Sequence, residues 1–189
     1  MSDFSAEEQK ILTKLEKTQK DFWNLPRQNA NFLNILIKIS NAQNVVEVGT
    51  SNGYSGIWIA KALKETGGHL TTIEYYEKRI VLAQENFKKF GVEDIITIKQ
   101  GSACDILTEI CSDRNFKIDL AFIDANKGEY INYFDTINPN LKKGGIILAD
   151  NITSHADKVA PFVEKIIEDS NYQSEILNLP GGMLIGYKK

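Results

Sequence analysis

Apolar and polar positions change rhythm near Asn44. Before it, the chain from Ser5 to Trp23 is mostly polar, with Ile11, Leu12, Leu15 and Phe22 recurring at helical spacing. Asn24-Leu25-Pro26 interrupts that pattern, as proline does at a helix boundary. Phe32, Leu33, Ile35, Leu36, Ile37 and Ile39 then predict a second, more apolar helix. Beyond Asn44, short apolar runs alternate with amphipathic stretches. Runs at 45–48, 69–74, 95–99, 118–124 and 145–150 predict strands, and helices are expected around 54–64, 77–90, 103–111, 130–137 and 159–167. Nearly continuous apolar strands joined by helical crossovers indicate a parallel sheet covered on both faces, a doubly wound α/β fold. The end differs: 172–179, then Pro180-Gly181-Gly182, then 183–187 predict a β-hairpin.

The order of elements predicts one domain over 1–189. Residues 1–40 form N-terminal helices, 41–151 a ligand-binding core, and 152–189 the last helix and hairpin. A chain of 189 residues is long enough for one well-buried core. Its net charge of −3 gives no electrostatic case for nucleic acid, which requires clustered Lys and Arg. No apolar run reaches the roughly 20 residues of a membrane span, and the charged stretch 1–20 lacks the apolar core of a signal peptide. Cys104 and Cys111 fall about two turns apart on one helix, too far for a disulfide. Two reduced thiols fit a cytoplasmic location.

In open sheets of this type, ligands bind beyond the carboxyl ends of the strands, so the residues there carry the chemistry. The first strand ends in Glu47-Val48-Gly49-Thr50-Ser51-Asn52-Gly53-Tyr54-Ser55-Gly56. Gly49 and Gly53 permit a tight turn and close approach of a ligand to the backbone. The spacing is neither G-x-G-x-x-G nor a Walker loop, so a pyrophosphate or a triphosphate is not the expected ligand. Glu47 is an acid within an apolar strand, costly to bury unless it is paired. It suits an amine-bearing ligand, or a turn in which backbone amides satisfy it. The second strand ends at Glu74, about twenty residues past the glycine turn, where nucleotide-binding folds clamp ribose hydroxyls. A ribose without a pyrophosphate fits adenosine joined to an amino acid.

These motifs, E-V-G-T-S-N-G-Y-S, I-E, Q-G-S-A, F-I-D-A-N-K and G-G-I-I-L-A-D-N, resemble those of class I methyltransferases that use S-adenosylmethionine. The nearer likeness is to the catechol and caffeoyl-coenzyme A O-methyltransferases and their bacterial relatives, over roughly residues 27–151. The resemblance implies a Rossmann-like sheet of seven strands with the last antiparallel. It implies that Gly49 and Gly53 approach the methionine part of the cofactor and that Tyr54 and Ser55 contact its carboxylate. Glu74 would hold the ribose, with Ser102 and Ala103 along the adenine. Glu47, Ser51, Tyr75 and Asp124 complete the cofactor set. Some relatives carry serine at the place of Ala103, which removes one polar contact here.

Asp124 ends one predicted strand, and Asp150-Asn151 ends another. If those strands are neighbours, two carboxylates and an amide oxygen converge, a donor set for Mg²⁺, Mn²⁺ or Ca²⁺ more than for zinc. The same residues could instead cap the helices that follow. Lys127 stands three residues after Asp124. Beside a bound cation and a sulfonium, like charge favours its neutral amine, which suits proton removal from a hydroxyl. In the resembling family that lysine is the base; otherwise it is a solvated loop residue. Asn126 departs from the family, which often carries an acidic or aromatic residue there. The stretch 152–157 is shorter than the aromatic family loop, so catechol or caffeoyl specificity does not carry over. His155 is expected to be an ordinary surface residue, with a ligand or base role as the other reading. Trp23 and Trp58 are expected in core or cofactor-adjacent packing, Tyr130 and Tyr133 on one helix face, and Lys142-Lys143 in a turn.

The leading expectation is thus a metal-assisted O-methyltransferase acting on a small-molecule hydroxyl acceptor. Relatives often dimerise, and the apolar second helix could join a homodimer interface. The alternatives are a metal-independent methyltransferase acting on another acceptor, a nicotinamide-dependent oxidoreductase, and a non-catalytic cofactor-binding relative. The oxidoreductase is disfavoured by the missing dinucleotide fingerprint.

Overall fold

A computed structural model describes residues 4–189. Three helices open the chain: α1 (Ala6–Lys17), α2 (Gln19–Phe22) and α3 (Arg27–Ser40). Then follow β1 (Asn44–Val48), α4 (Tyr54–Thr66), β2 (His69–Glu74), α5 (Glu77–Lys89), β3 (Ile96–Gln100) and α6 (Ala103–Ser112). The chain ends with β4 (Ile118–Ile123), α7 (Tyr130–Ile137), β5 (Leu141–Asp150), α8 (Ala156–Glu168), β6 (Tyr172–Leu177) and β7 (Met183–Lys188). Residues 1–3 of the expected N-terminal helical stretch lie outside the described residues.

All seven strands join one sheet in the order β3-β2-β1-β4-β5-β7-β6. Strands β1 to β5 pair in parallel, and β7 runs antiparallel to both β5 and β6. The predicted α/β sheet with an antiparallel last strand is therefore present. The order reverses between β1 and β4, the place where such sheets open a ligand crevice. Val48 pairs with Ile73 on one side and Ile123 on the other, and Ile123 pairs with Ala149. The carboxyl ends of β1, β2, β4 and β5 consequently stand side by side.

Strand alternation sorts the core into two layers. Val45, Leu120, Phe122, Ile146 and Leu148 pack with Leu33, Ile57 and Phe87 from α3, α4 and α5. Val46, Ala121, Ile123, Ile147 and Ala149 pack with Tyr130, Phe134 and Phe162 from α7 and α8. Each fully buried large apolar side chain stabilises the fold by about 1.5–3 kcal/mol. No helix among the described residues is long and apolar enough to cross a membrane.

Two elements differ from the sequence expectation. The first helix is not continuous to Trp23: α1 stops at Lys17, where the Thr18 hydroxyl donates to the Leu15 carbonyl at 2.8 Å. Such local side-chain bonds compete with the helical ladder. At its start, Ser5 and Glu8 form a reciprocal capping box. Strand β5 begins at Leu141, before Gly145, so Lys142 and Lys143 lie in a strand instead of a turn. Both are exposed, and Lys142 Nζ pairs with Asp119 Oδ1 at 2.6 Å, which explains polar residues in a strand end. Of the two settings expected for the tryptophans, Trp58 takes the core, while Trp23, 73% exposed and left-handed (φ 53°), stands at the rim of the cavity over the strand ends.

Candidate active site

The turn after β1 is shaped by the chain's own packing. Gly49 has φ 110°, and a Cβ there would lie 2.2 Å from the carbonyl oxygen of Asp124. At Gly53, φ 84°, a Cβ would lie 2.7 Å from Phe87 Cε1 of α5. The glycines therefore let β4 and α5 close on the turn, a reason that does not depend on a ligand. Glu47 is fully buried. It accepts from Ser55 Oγ at 2.5 Å and from Thr72 Oγ1 at 2.6 Å. Burial pushes its carboxyl up to about 7, against the pull of the two hydroxyls. These hydroxyls, not backbone amides, satisfy it.

Glu74 at the end of β2 is held by three backbone amides. Ser51 donates to Oε2 at 2.8 Å, while Tyr75 and Tyr76 donate to Oε1 at 2.9 Å. The clamp points one carboxylate at the crevice with lone pairs to spare. Ser51 Oγ donates to the Phe22 carbonyl at 2.7 Å, and Tyr54 donates its hydroxyl to Glu16 Oε1 at 2.7 Å. The N-terminal helices are thus fastened to the glycine turn. Burial, then the bond to Glu16, pushes the Tyr54 phenol well above its ordinary range.

A cavity of about 980 Å³ opens over these strand ends. Gly49, Ser51, Tyr54, Ser55, Glu74, Tyr75, Ser102, Ala103, Asp124, Lys127, Asp150 and Asn151 line it, so most of the expected site residues come together. Glu47 and Gly53 do not line it: Glu47 is sealed behind Ser55, and Gly53 faces Phe87. Trp23 does line it, with the Arg79 guanidinium 5.0 Å from its ring. His155 also borders the cavity; it is exposed, at the N-cap of α8, with Nδ1 3.1 Å from Ser154 Oγ.

Adjacent strands β4 and β5 bring Asp124 and Asp150 to one wall. Lys127 Nζ donates to Asp124 Oδ1 at 2.7 Å. Burial and then the charge of Asp124 push the Asp150 carboxyl up to about 7. The two carboxylates are near enough for the charge of Asp124 to disfavour that of Asp150, and Lys127 makes its ion pair with Asp124. Asn151 adds an amide from a left-handed backbone position (φ 64°). The loop after it is braced by the hairpin: Ile152 N donates to the Gly182 carbonyl, and Thr153 and Ser154 N donate to that of Gly181. Among the described residues, no group of three or more His, Cys, Asp or Glu side chains is arranged for a metal. Two carboxylates and an amide form an oxygen set that suits a hard cation completed by water or ligand.

The sequence reading missed Asn29. It is fully buried on α3 and donates through Nδ2 to Asp150 Oδ1 at 3.0 Å and to the Pro180 carbonyl at 2.9 Å. The available signal was a polar residue on the helical face shared by Leu33 and Ile37. The two cysteines are free, as expected.

The O-methyltransferase family model matches residues 2–177. The chain belongs to the O-methyltransferase family. It is 38% identical over 121 residues to a catechol O-methyltransferase of Niastella koreensis, covering 64% of this chain and 54% of that one. It is 36% identical over 151 residues to caffeoyl-CoA O-methyltransferase 1 of Arabidopsis thaliana, covering 77% and 58% respectively. The chain therefore spans little more than half the length of these curated relatives. In fold, it is similar to an O-methyltransferase from Bacillus cereus in complex with SAH. The TM-score is 0.85 at 24% identity, covering 94% of this chain and 90% of that one.

Proposed function

We propose that this chain transfers a methyl group from S-adenosylmethionine to a hydroxyl oxygen of a small molecule, assisted by a divalent cation such as Mg²⁺, Mn²⁺ or Ca²⁺. One observation carries the reading: a single cavity is lined both by Glu74, in the position of a ribose clamp, and by Asp124, Lys127, Asp150 and Asn151. Family membership and the SAH bound in the Bacillus cereus neighbour support it.

In this reading Glu74 accepts from the ribose hydroxyls with the lone pairs its three amides leave free. Ser51, Tyr54 and Ser55 meet the amino-acid portion, and Ser102 and Ala103 flank the base. Asp124, Asp150 and Asn151 would hold the cation, which would supply Lewis-acid polarisation of the acceptor oxygen. Lys127 Nζ takes the proton that the hydroxyl loses. The oxygen–methyl bond forms as the sulfur–methyl bond breaks, leaving a neutral thioether. The walls align oxygen, methyl and sulfur for in-line displacement.

Calorimetry on chelator-treated protein tests this, titrating S-adenosylmethionine with and without Mg²⁺ and a catechol as probe acceptor. Cofactor heat in every case, with acceptor heat only in Mg²⁺, is expected. Cofactor heat with acceptor heat indifferent to Mg²⁺ would leave a metal-free methyltransferase, and no cofactor binding would remove the proposal.

A further inference from the structure

The base end of the cavity carries an acid that none of the roles above uses. Gln100 of β3 pairs with Glu74 of β2, and Gly101 N donates to the Glu74 carbonyl at 3.0 Å. Ser102 and Ala103 therefore begin beside the ribose clamp, and a base attached to that ribose lies against them. The facing part of this wall is Glu129, from the 3-10 turn before α7, with Tyr133 one helical turn further on. Two donors converge on the same Glu129 oxygen. Tyr133 donates its hydroxyl to Oε2 at 2.5 Å, and the Cys104 thiol lies 3.9 Å from Oε2. No donor among the described residues meets Oε1. Glu129 is thus held by one oxygen and offers the other, in a half-buried position lining the cavity. Ala103 supplies no polar side chain here.

We propose that Glu129 reads the edge of the purine, its free Oε1 accepting a hydrogen bond from the exocyclic amino group of adenine. This rests on the cofactor reading above. A carboxylate oxygen only accepts, so it rewards a base whose edge donates and repels one whose edge presents an oxygen. Tyr133 is a positioning residue, since its hydroxyl fixes the carboxylate plane. Discrimination of this kind is large because the rejected base leaves the acid unpaired.

The test is equilibrium binding, free of turnover, of S-adenosylhomocysteine and S-inosylhomocysteine to the wild type, Glu129→Ala and Glu129→Gln. These ligands differ at C6, amino against oxo, and at N1, which accepts in adenine and carries a proton in hypoxanthine. The ratio therefore tests Oε1 placed at the C6 group and not at N1. The wild type is expected to prefer the adenine ligand by about tenfold or more, the range of a hydrogen bond to a charged group. Glu129→Ala brings the two affinities near parity, and Glu129→Gln, which keeps an acceptor oxygen, retains part of the preference. The ratio is taken within each variant, so a general loss of stability cancels. An unchanged ratio in Glu129→Ala, or no preference in the wild type, overturns the role of Glu129 while leaving the methyltransferase reading intact. Binding of neither ligand to the wild type removes both.

Discussion

Asn29 Nδ2 donates to Asp150 Oδ1 across 3.0 Å, joining helix α3 to the end of β5 at the proposed cation site. The bond favours the charged form of a carboxyl that burial and Asp124 push the other way. A residue far away in sequence thus orients a proposed ligand.

Removing it should weaken the site without emptying the cofactor pocket. Asn29→Ala is expected to raise the Mg²⁺ concentration needed for half-maximal activity by about tenfold, as for other groups that orient metal ligands. Affinity for S-adenosylhomocysteine should stay within a few-fold by the usual latitude of such comparisons. Metal titrations at fixed cofactor provide the check, and an unchanged Mg²⁺ requirement would contradict this role.

Lys127 separates a base from a counter-ion. If it only neutralises Asp124, Lys127→Arg should work nearly as well, because arginine keeps the charge. If it accepts the proton, arginine fails because it does not deprotonate. Both Lys127→Met and Lys127→Arg are expected to lose turnover by about 10²–10⁴-fold, with cofactor binding preserved. Single-turnover rates alongside calorimetry decide.

Glu47 predicts a pH dependence of stability. Its folded carboxyl titrates at about 7, above the ordinary 4.5, so the folded protein binds more protons between those values. Stability from this group is fully present below about pH 4.5 and is lost as pH rises through about 7. Glu47→Gln, still able to bond Ser55 and Thr72, should flatten that part of the profile. At pH 8 it should unfold at higher urea than the wild type. Denaturant midpoints across pH 5–8 measure the slope, and parallel profiles would refute the assignment.

Gly49→Ala should be among the most damaging single-atom additions. The new Cβ meets the Asp124 carbonyl oxygen at a backbone angle that alanine disfavours. A loss on the order of 3 kcal/mol or more is expected. Because the displaced atom belongs to Asp124, activity should fall even where the protein remains folded. Thermal unfolding and cofactor binding on the same sample check both parts.

The repetition of apolar runs and amphipathic stretches determined the alternating fold, because helix and strand bury side chains at different periods. The residues at strand ends were also legible, since the chemistry of a parallel sheet collects there. Asp124, Lys127, Asp150 and Glu74 could be named before any contact was known. What stood beside each residue could not. Only the order β2-β1-β4-β5 brings Asp124 and Asp150 together, and only the packing of α3 sets Asn29 on Asp150. Glu47 fitted a ligand role as a strand carboxylate, until Ser55 and Thr72 were found enclosing it. Glu129 carried no signal in the sequence, and only the fold sets Tyr133 and Cys104 on one of its oxygens. Local pattern fixes which element a residue joins, because it depends on neighbours along the chain. The partner of a buried polar atom depends on which elements meet across the fold, and that only the tertiary structure decided.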